Sequence, residues 1–364
     1  MPGYGIMTGG GFFKVMHGKP TSFDIAYLAG VSQPTVSRAL RGSPMVSLET
    51  RKRIEAIAQQ LHYKVDKNAS NLRFQHSHTL ALLLFEDPTP DESQINPFFL
   101  TMLGSITRAC AVRGYDLLIS FQQMSSDWHK DYEDSRKADG IILLGYGDYL
   151  AYQSRLEQLV GQGTHFVRWG AVQAGQPGLS VGCDNFRGGY DAARHLLGLG
   201  RRRFAFLGDA SNHYPEFLER HRGCTEAIAA AGGTPDPVAQ VNAISTEQSG
   251  YEAANELLTR GVQFDAIVAA SDLIAIGAMR ALQSRGVDVP GKVSIVGFDD
   301  IPAASLTNPP LTTVMQDTRR AGEVLVETLL RMVSDEHAEG TVLPTKLVVR
   351  GSCGAAHAAP AVRK

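Results

Sequence analysis

Two hydrophobic periods run along this chain, and one gives way to the other near residue 79. Before that point apolar residues recur at helical spacing in short bursts. Ile25, Ala26, Leu28 and Ala29 make one burst, Val31, Val36 and Leu40 a second, and Ile54, Ile57, Ala58 and Leu61 a third. Each burst places its apolar residues on one face of a helix. Thr21 followed by Asp24 resembles a capping box and opens the first helix, which Gly30 closes. Ser32 caps the second, with Pro34 in its first turn, where a missing N–H costs little. The third starts near Leu48, behind Ser47 or Thr50. Two short helices joined by a tight glycine-containing turn predict a helix-turn-helix.

Beyond residue 79 short apolar runs alternate with amphipathic stretches. The runs are 80–85, 115–121, 141–144, 165–169, 204–207, 266–270 and 293–298; between them lie helical patterns at 99–113, 188–199, 215–231, 250–260 and 274–285. Strand and helix in repetition predict right-handed crossovers and doubly wound parallel sheets. At this length the body forms two lobes rather than one. The expected fold is an all-α headpiece followed by an α/β two-lobed domain. Its divisions are a flexible leader (1–19), the headpiece (20–66), a hinge helix or linker (67–78), the two-lobed domain (79–353) and a tail (354–364).

Charge sharpens this division. The whole chain of 364 residues has a formal net charge of only −2. Residues 1–78 nevertheless hold ten Lys and Arg against four Asp and Glu, which leaves 25 against 33 for the remainder. A basic head on an acidic body is the asymmetry of a protein whose one end meets a polyanion. Nothing approaches the ~18 apolar residues of a membrane span. Gly9, Gly10 and Gly11 interrupt any secretory pattern, so a cytoplasmic location is expected. Cys110, Cys183, Cys224 and Cys353 stand far apart, the spacing of buried free thiols rather than of a zinc site or disulfide framework. Neither metal nor cofactor is expected. No dinucleotide, P-loop or nucleophile-elbow motif occurs, and Gly145-Tyr146-Gly147 lacks the third glycine of the first. An enzyme is therefore not expected.

Two regions carry candidate chemistry. In the headpiece Gln33, Pro34, Ser37, Arg38 and Arg41 are left outside the small core. Arginine offers a fork to guanine, glutamine pairs with adenine, and hydroxyls at a helix N-terminus reach phosphate. In the body, candidates fall at the carboxyl ends of strands, where open parallel sheets bind ligands. They are Asn96-Pro97-Phe98-Phe99, Arg168-Trp169-Gly170, a loop opening the helix at Pro215 with Glu216, Glu219, Arg220 and Arg222, Ser271-Asp272, and Asp299-Asp300. Aromatic faces with Arg, Asp and Ser suit a sugar, whose axial hydrogens stack on rings and whose hydroxyls need directional partners. Taken singly, each phenylalanine reads better as core and each arginine as surface charge.

The headpiece residues DIAYLAGVSQPTVSRAL, VSLETRKRI and LHY, within 21–63, resemble the DNA-binding headpiece of the lactose-repressor (LacI/GalR) family of transcription regulators. Arg41 departs from the asparagine common there. The resemblance implies that Gln33, Pro34 and Arg38 meet bases, and that Thr21, Ser32, Thr35 and Ser37 cap helices or touch phosphate. It also implies that Leu72 is the hinge-helix leucine that wedges into the minor groove. The body continues the resemblance through NPFF, RHRG, SDLIAIGAMRAL, VGFDDIP, PPLTTVMQD and LVVRGSC, the marks of an effector domain related to periplasmic sugar-binding proteins. Carried over, Arg220, Ser271 and Asp299 contact the effector, Phe98 and Phe99 stack on it, and Trp169 stands beside Gly170, where several relatives have an acidic or amide side chain. The chain is expected to cross between lobes near Asp184, Asp317 and Pro344. The implied protein is a repressor, a homodimer on pseudo-palindromic operator DNA, switched by a small-molecule effector, a saccharide. The alternative is a corepressor-dependent regulator with a purine-like or phosphorylated ligand.

Overall fold

A computed structural model describes residues 20–40, 42–63, 76–85, 95–122, 125–145 and 147–355. The leader 1–19, Arg41, Leu72 with the rest of 64–75, and the tail beyond Ala355 lie outside the described residues. The chain divides between residues 75 and 76 into two compact units. Residues 76–78, which the sequence reading assigned to the hinge, are not helical.

The first unit holds three helices, α1 (Ser22–Ala29), α2 (Gln33–Leu40) and α3 (Leu48–Gln60). The capping box is reciprocal. The Thr21 backbone N donates to Asp24 Oδ2 at 2.9 Å, and the Asp24 backbone N donates to Thr21 Oγ1 at 3.4 Å. Gly30 then ends α1 with φ of 62°, a left-handed turn that any Cβ would strain. This abrupt reversal lets Ser32 begin α2 after only two residues. Ile25, Ala26, Ala29, Val36, Ala39, Ile54 and Ala58 form the core, with Val46 sealing it from the α2–α3 loop and Val31, Leu40, Ile57 and Leu61 at its edge.

The second unit contains two six-stranded sheets. β1 (Thr79–Leu84), β2 (Asp116–Phe121), β3 (Ile141–Leu144), β4 (Phe166–Trp169), β5 (Leu179–Cys183) and β11 (Thr341–Leu343) form one, in the order β11-β5-β4-β3-β1-β2. β6 (Phe204–Leu207), β7 (Gln240–Val241), β8 (Ala266–Ala269), β9 (Ser294–Asp299), β10 (Thr312–Gln316) and β12 (Thr345–Val348) form the other, in the order β12-β10-β9-β8-β6-β7. Pairing is parallel throughout except for the edge strand β12, antiparallel to β10. The chain crosses from one sheet to the other at Asp184, Asp317 and Pro344, as the resemblance implied.

Helices α4 (Pro97–Val112), α5 (Tyr149–Gly161) and α10 (Thr318–Val333) accompany the first sheet, and α6 (Asn185–Gly198), α7 (Pro215–Ala230), α8 (Glu247–Thr259) and α9 (Asp272–Ser284) the second. α6 and α7 cross at reciprocal glycines. A Cβ on Gly189 would lie 2.0 Å from the Arg220 carbonyl oxygen, and one on Gly223 would lie 1.9 Å from that of Phe186. This backbone-on-backbone approach presses the α7 segment around Arg220 into the carboxyl lobe.

Candidate functional site

In the headpiece, α2 presents the expected residues unequally. Pro34 and Arg38 are exposed, and the Arg38 guanidinium makes no hydrogen bond among the described residues. Ser32 and Thr35 are bonded to one another, hydroxyl to hydroxyl, at 2.8 Å, and the Ser32 oxygen accepts from the Thr35 backbone N at 3.4 Å. Their hydroxyls therefore start the helix while remaining at its anion-attracting end. Gln33 is half-buried and donates to Ser22 Oγ at 3.2 Å, so its amide is engaged with α1. Thr21 spends its hydroxyl on Asp24, donating at 2.7 Å. Ser37 is half-buried.

The body gathers the remaining candidates where its lobes meet. Phe98, Trp169, Arg220, Ser271 and Asp299 are 1%, 4%, 1%, 0% and 3% exposed. Phe98 and Phe99 open α4 with ring centroids 5.2 Å apart, edge to face, and Trp169 lies 6.1 Å from Phe98. Both phenylalanines belong to the core cluster, and Phe98 also lines an interlobe cavity of about 170 Å³ with Thr101, Asp299, Gln316, Thr318 and Arg319. A larger concavity, about 390 Å³, lies on the outer face of the carboxyl lobe around Asp191, Arg194 and His195. It contains none of these residues and is walled by surface ion pairs.

Arg220 is the centre of the carboxyl-lobe group. Its Nε donates to Asn185 Oδ1 at 2.8 Å, its Nη1 donates to the Ala270 carbonyl oxygen, and the same nitrogen lies 3.6 Å from Asp299 Oδ1. The Phe298 ring carries the guanidinium at 3.8 Å. Asp299 also accepts from Gln316 Nε2 at 2.6 Å, and its φ of 117° turns the chain out of β9. A non-glycine residue in that region is held there by its surroundings. Ser271 caps α9, accepting from the Ile274 backbone N at 3.4 Å. Next to it Asp272 is fully buried, and burial, then the neighbouring Asp299 charge, push its carboxyl well above the usual carboxylate range.

Hydrogen bonds close the seam between lobes. Asn96 Nδ2 donates to Ser245 Oγ at 3.1 Å, and that hydroxyl donates to Ser271 Oγ at 2.8 Å. The Ala171 backbone N donates to Glu216 Oε1 at 2.7 Å, and His213 Nδ1 lies 2.8 Å from Asp148 Oδ1. Asn185, Ser245 and Gln316 did not stand out in the sequence. Each becomes visible only through its partner, although Gln316 immediately precedes a crossing. One placement differs from the expectation. Glu216, Glu219, Arg220 and Arg222 lie within α7 rather than in a loop before it, while Arg168 and Trp169 are the last two residues of β4, inside the expected run 165–169. Pro215 is the opening residue of the helix, a position where its missing N–H is tolerated.

Comparisons with known proteins agree with one another. Residues 23–66 match the model of bacterial regulatory proteins of the lacI family, and 193–353 match the periplasmic binding protein-like domain. The HTH-type transcriptional regulator CelR of Thermobifida fusca is 31% identical over 342 residues, covering 92% of this chain and 98% of that protein. A structure of the transcriptional regulator CelR–cellobiose complex aligns with a TM-score of 0.67 at 30% identity, over 92% of this chain and 99% of that one. The lac repressor dimer bound to operator and the anti-inducer ONPF aligns at 0.80 with 23% identity over 92% and 99%, a likeness of fold. With a capped helix-turn-helix, two crossing-linked lobes and such identity over nearly its whole length, the chain belongs to the lacI family of bacterial regulatory proteins.

Proposed function

We propose that this chain is a sequence-specific DNA-binding repressor, cytoplasmic and homodimeric, whose affinity for a pseudo-palindromic operator is set by a saccharide held between its lobes. Arg38 and Pro34 would read bases, with Ser32, Thr35, Ser37 and Thr21 at the phosphate-facing ends of the helices, and Leu72 entering the minor groove. Phe98, Phe99 and Trp169 would supply the apolar wall of the ligand site, and Arg220, Ser271 and Asp299 its hydroxyl partners. The observation that carries the reading is the cleft. A guanidinium–carboxylate pair lies buried in the carboxyl lobe, and its carboxylate lines, with Phe98 from the other lobe, the interlobe cavity. The cellobiose complex of CelR supports a sugar as ligand. The operator-bound lac repressor dimer supports DNA and a second copy as partners.

The reading has no catalytic step. Burial pushes the thiols of Cys110, Cys183 and Cys224 up to about 11, 12 and 12, so these three stay protonated and unreactive at neutral pH. A cavity of about 170 Å³ is below the ~300 Å³ of ordinary ligand pockets. A ligand larger than the cavity would part the lobes on entry, and a ligand that prefers one lobe arrangement shifts DNA affinity by at most its differential affinity for the two arrangements.

The test is thermal unfolding against neutral mono- and oligosaccharides, sugar phosphates and purines. A compound at 100 times its Kd adds ~2.7 kcal/mol to the native state. A shift from a neutral sugar that also changes affinity for a duplex selected from a random pool supports the reading. A response to purines or phosphorylated compounds alone replaces the saccharide, and selection of no sequence removes the DNA-binding function.

A further inference from the structure

Where the second unit begins, one carboxylate takes two consecutive backbone amides, beside the hydrogen bond that the Asp116 backbone N donates to the His78 carbonyl oxygen at 2.9 Å. Asp139 precedes β3, and its carboxylate, 6% exposed, takes two consecutive backbone amides from 61 and 62 residues away. Ser77 N donates to Oδ1 at 2.5 Å and His78 N donates to Oδ2 at 2.9 Å. The Asp139 backbone N donates in turn to the Thr79 carbonyl oxygen at 2.8 Å. His78 has φ of 52°, a left-handed conformation without glycine, and its ring packs edge to face on Tyr115 at 5.4 Å. Such a conformation persists only where the surroundings over-determine it. The chain thus makes a fixed turn at His78 before it becomes β1.

The other end of the same segment reaches the cleft. β3 runs from the residue after Gly140 to Leu144, and Asp148, four residues on, is the carboxylate that meets His213 of the opposite lobe. Asp139 and Asp148 thus flank the same strand, one at the first residues of the second unit and the other at the lobe seam. Two charge-assisted bonds to one carboxylate fix a direction, which a single hydroxyl bond would not.

We infer that Asp139 is a positioning residue for regulation: its carboxylate clamps Ser77 and His78 so that the position of the amino-terminal lobe sets the direction in which the connector leaves. The inference rests on the proposed reading of the chain as an effector-switched DNA-binding protein.

The test uses the full chain, a duplex selected from a random pool by the wild type, and a scrambled duplex of the same length. Asp139→Ala is expected to weaken binding to the selected duplex about tenfold, within the range of allosteric couplings, and to leave the scrambled duplex unchanged. Inserting two glycines between residues 75 and 76 should cause the same loss. The double variant should lose no more than either alone, because both uncouple one element. Asp139→Asn keeps the size of the side chain but one acceptor oxygen, so it gives an intermediate loss and carries the test where alanine does not fold. Selected-duplex affinity within twofold of the wild type, or losses that add in the double variant, would overturn the clamp. Amide exchange at Ser77 and His78 reads the clamp without DNA: slow in the wild type and fast in Asp139→Ala is expected, and fast exchange in the wild type overturns it. Failure of the wild type to select any sequence would instead count against the DNA-binding reading.

Discussion

The two candidate sites are built in opposite ways. The headpiece site lies at the surface, with Pro34 and Arg38 exposed and Gln33, Thr35 and Ser37 half-buried, and its positions are set by neighbours within about a dozen residues: Ser32 with Thr35, Thr21 with Asp24, Gln33 with Ser22. The cleft is buried, and its polar groups are bonded to residues far away in sequence, Arg220 to Asn185 and Asp299, Ser271 to Ser245, Ser245 to Asn96. The difference teaches what each site can tolerate. An exposed side chain such as Arg38, which makes no hydrogen bond among the described residues, is free to specify a base. A buried one must satisfy the fold whether or not ligand is present, because an unpaired polar group in the interior is costly.

That contrast can be broken by mutation. The largest effect is expected for Arg220→Ala, which leaves Asp299 buried without its cation; about 3–5 kcal/mol of body stability should be lost, measured by urea unfolding. A loss below about 1 kcal/mol would mean that Gln316 alone satisfies Asp299 and that the pair is dispensable to the fold. Arg38→Ala should cost ~1–3 kcal/mol of binding to the selected duplex and relax one base preference, while the urea midpoint stays where it is. An unchanged preference shows that α2 is not the reader.

Thr21→Ala separates the two roles assigned to one residue. Loss of the capping box should lower headpiece stability by ~1 kcal/mol, and DNA affinity measured well below the headpiece midpoint then shows whether the hydroxyl also meets phosphate, by an equal weakening on selected and scrambled duplexes. Unaltered affinity leaves it a cap only. The smallest effect concerns a pair outside both sites. A hydrogen bond to Glu133 outweighs burial and raises the pKa of His165. A raised folded value means that the stabilisation is fully present below the unfolded value of about 6.5 and is lost as pH rises through the folded one. Wild type should therefore exceed His165→Gln in stability at acidic pH, and the gap should close toward alkaline pH. A gap that grows instead would reverse the assignment.

Much of the fold was legible because its signals are local. The headpiece helices and the seven strands from apolar runs all occur, with ends shifted by one or two residues. What the pattern missed has a common cause. β5, β7, β10, β11 and β12 are short and contain Ser, Gly, Thr or Gln, and they are strands because a neighbour pairs with them. Of the missed helices, α10 carries a strong apolar stripe, Ala321, Val324, Leu325 and Leu329, that follows a polar strand and so lacks the strand–helix contrast of the other crossovers. The sites follow the same division. Phe98, Trp169, Ser271 and Asp299 could be named in advance because each stands at a strand end or helix start, and Arg220, inside α7, through the RHRG resemblance, whereas Asn185, Ser245 and Gln316 carry no mark of their own.

By itself the sequence determined the caps, the glycine-containing turn, the basic head on an acidic body and the alternation that makes two sheets, since these depend on residues close in the chain. Only the tertiary structure decided which polar groups face one another. Arg220 and Asp299 are separated by 79 positions, Asn96 and Ser245 by 149. Arg220 and Asp299 meet through packing within one lobe, and Asn96 and Ser245 meet where the crossings at Asp184, Asp317 and Pro344 bring the two lobes together. The physical reason is that hydrophobic burial chooses the packing, and hydrogen bonding then selects, among groups that packing has placed within reach, the ones that pair.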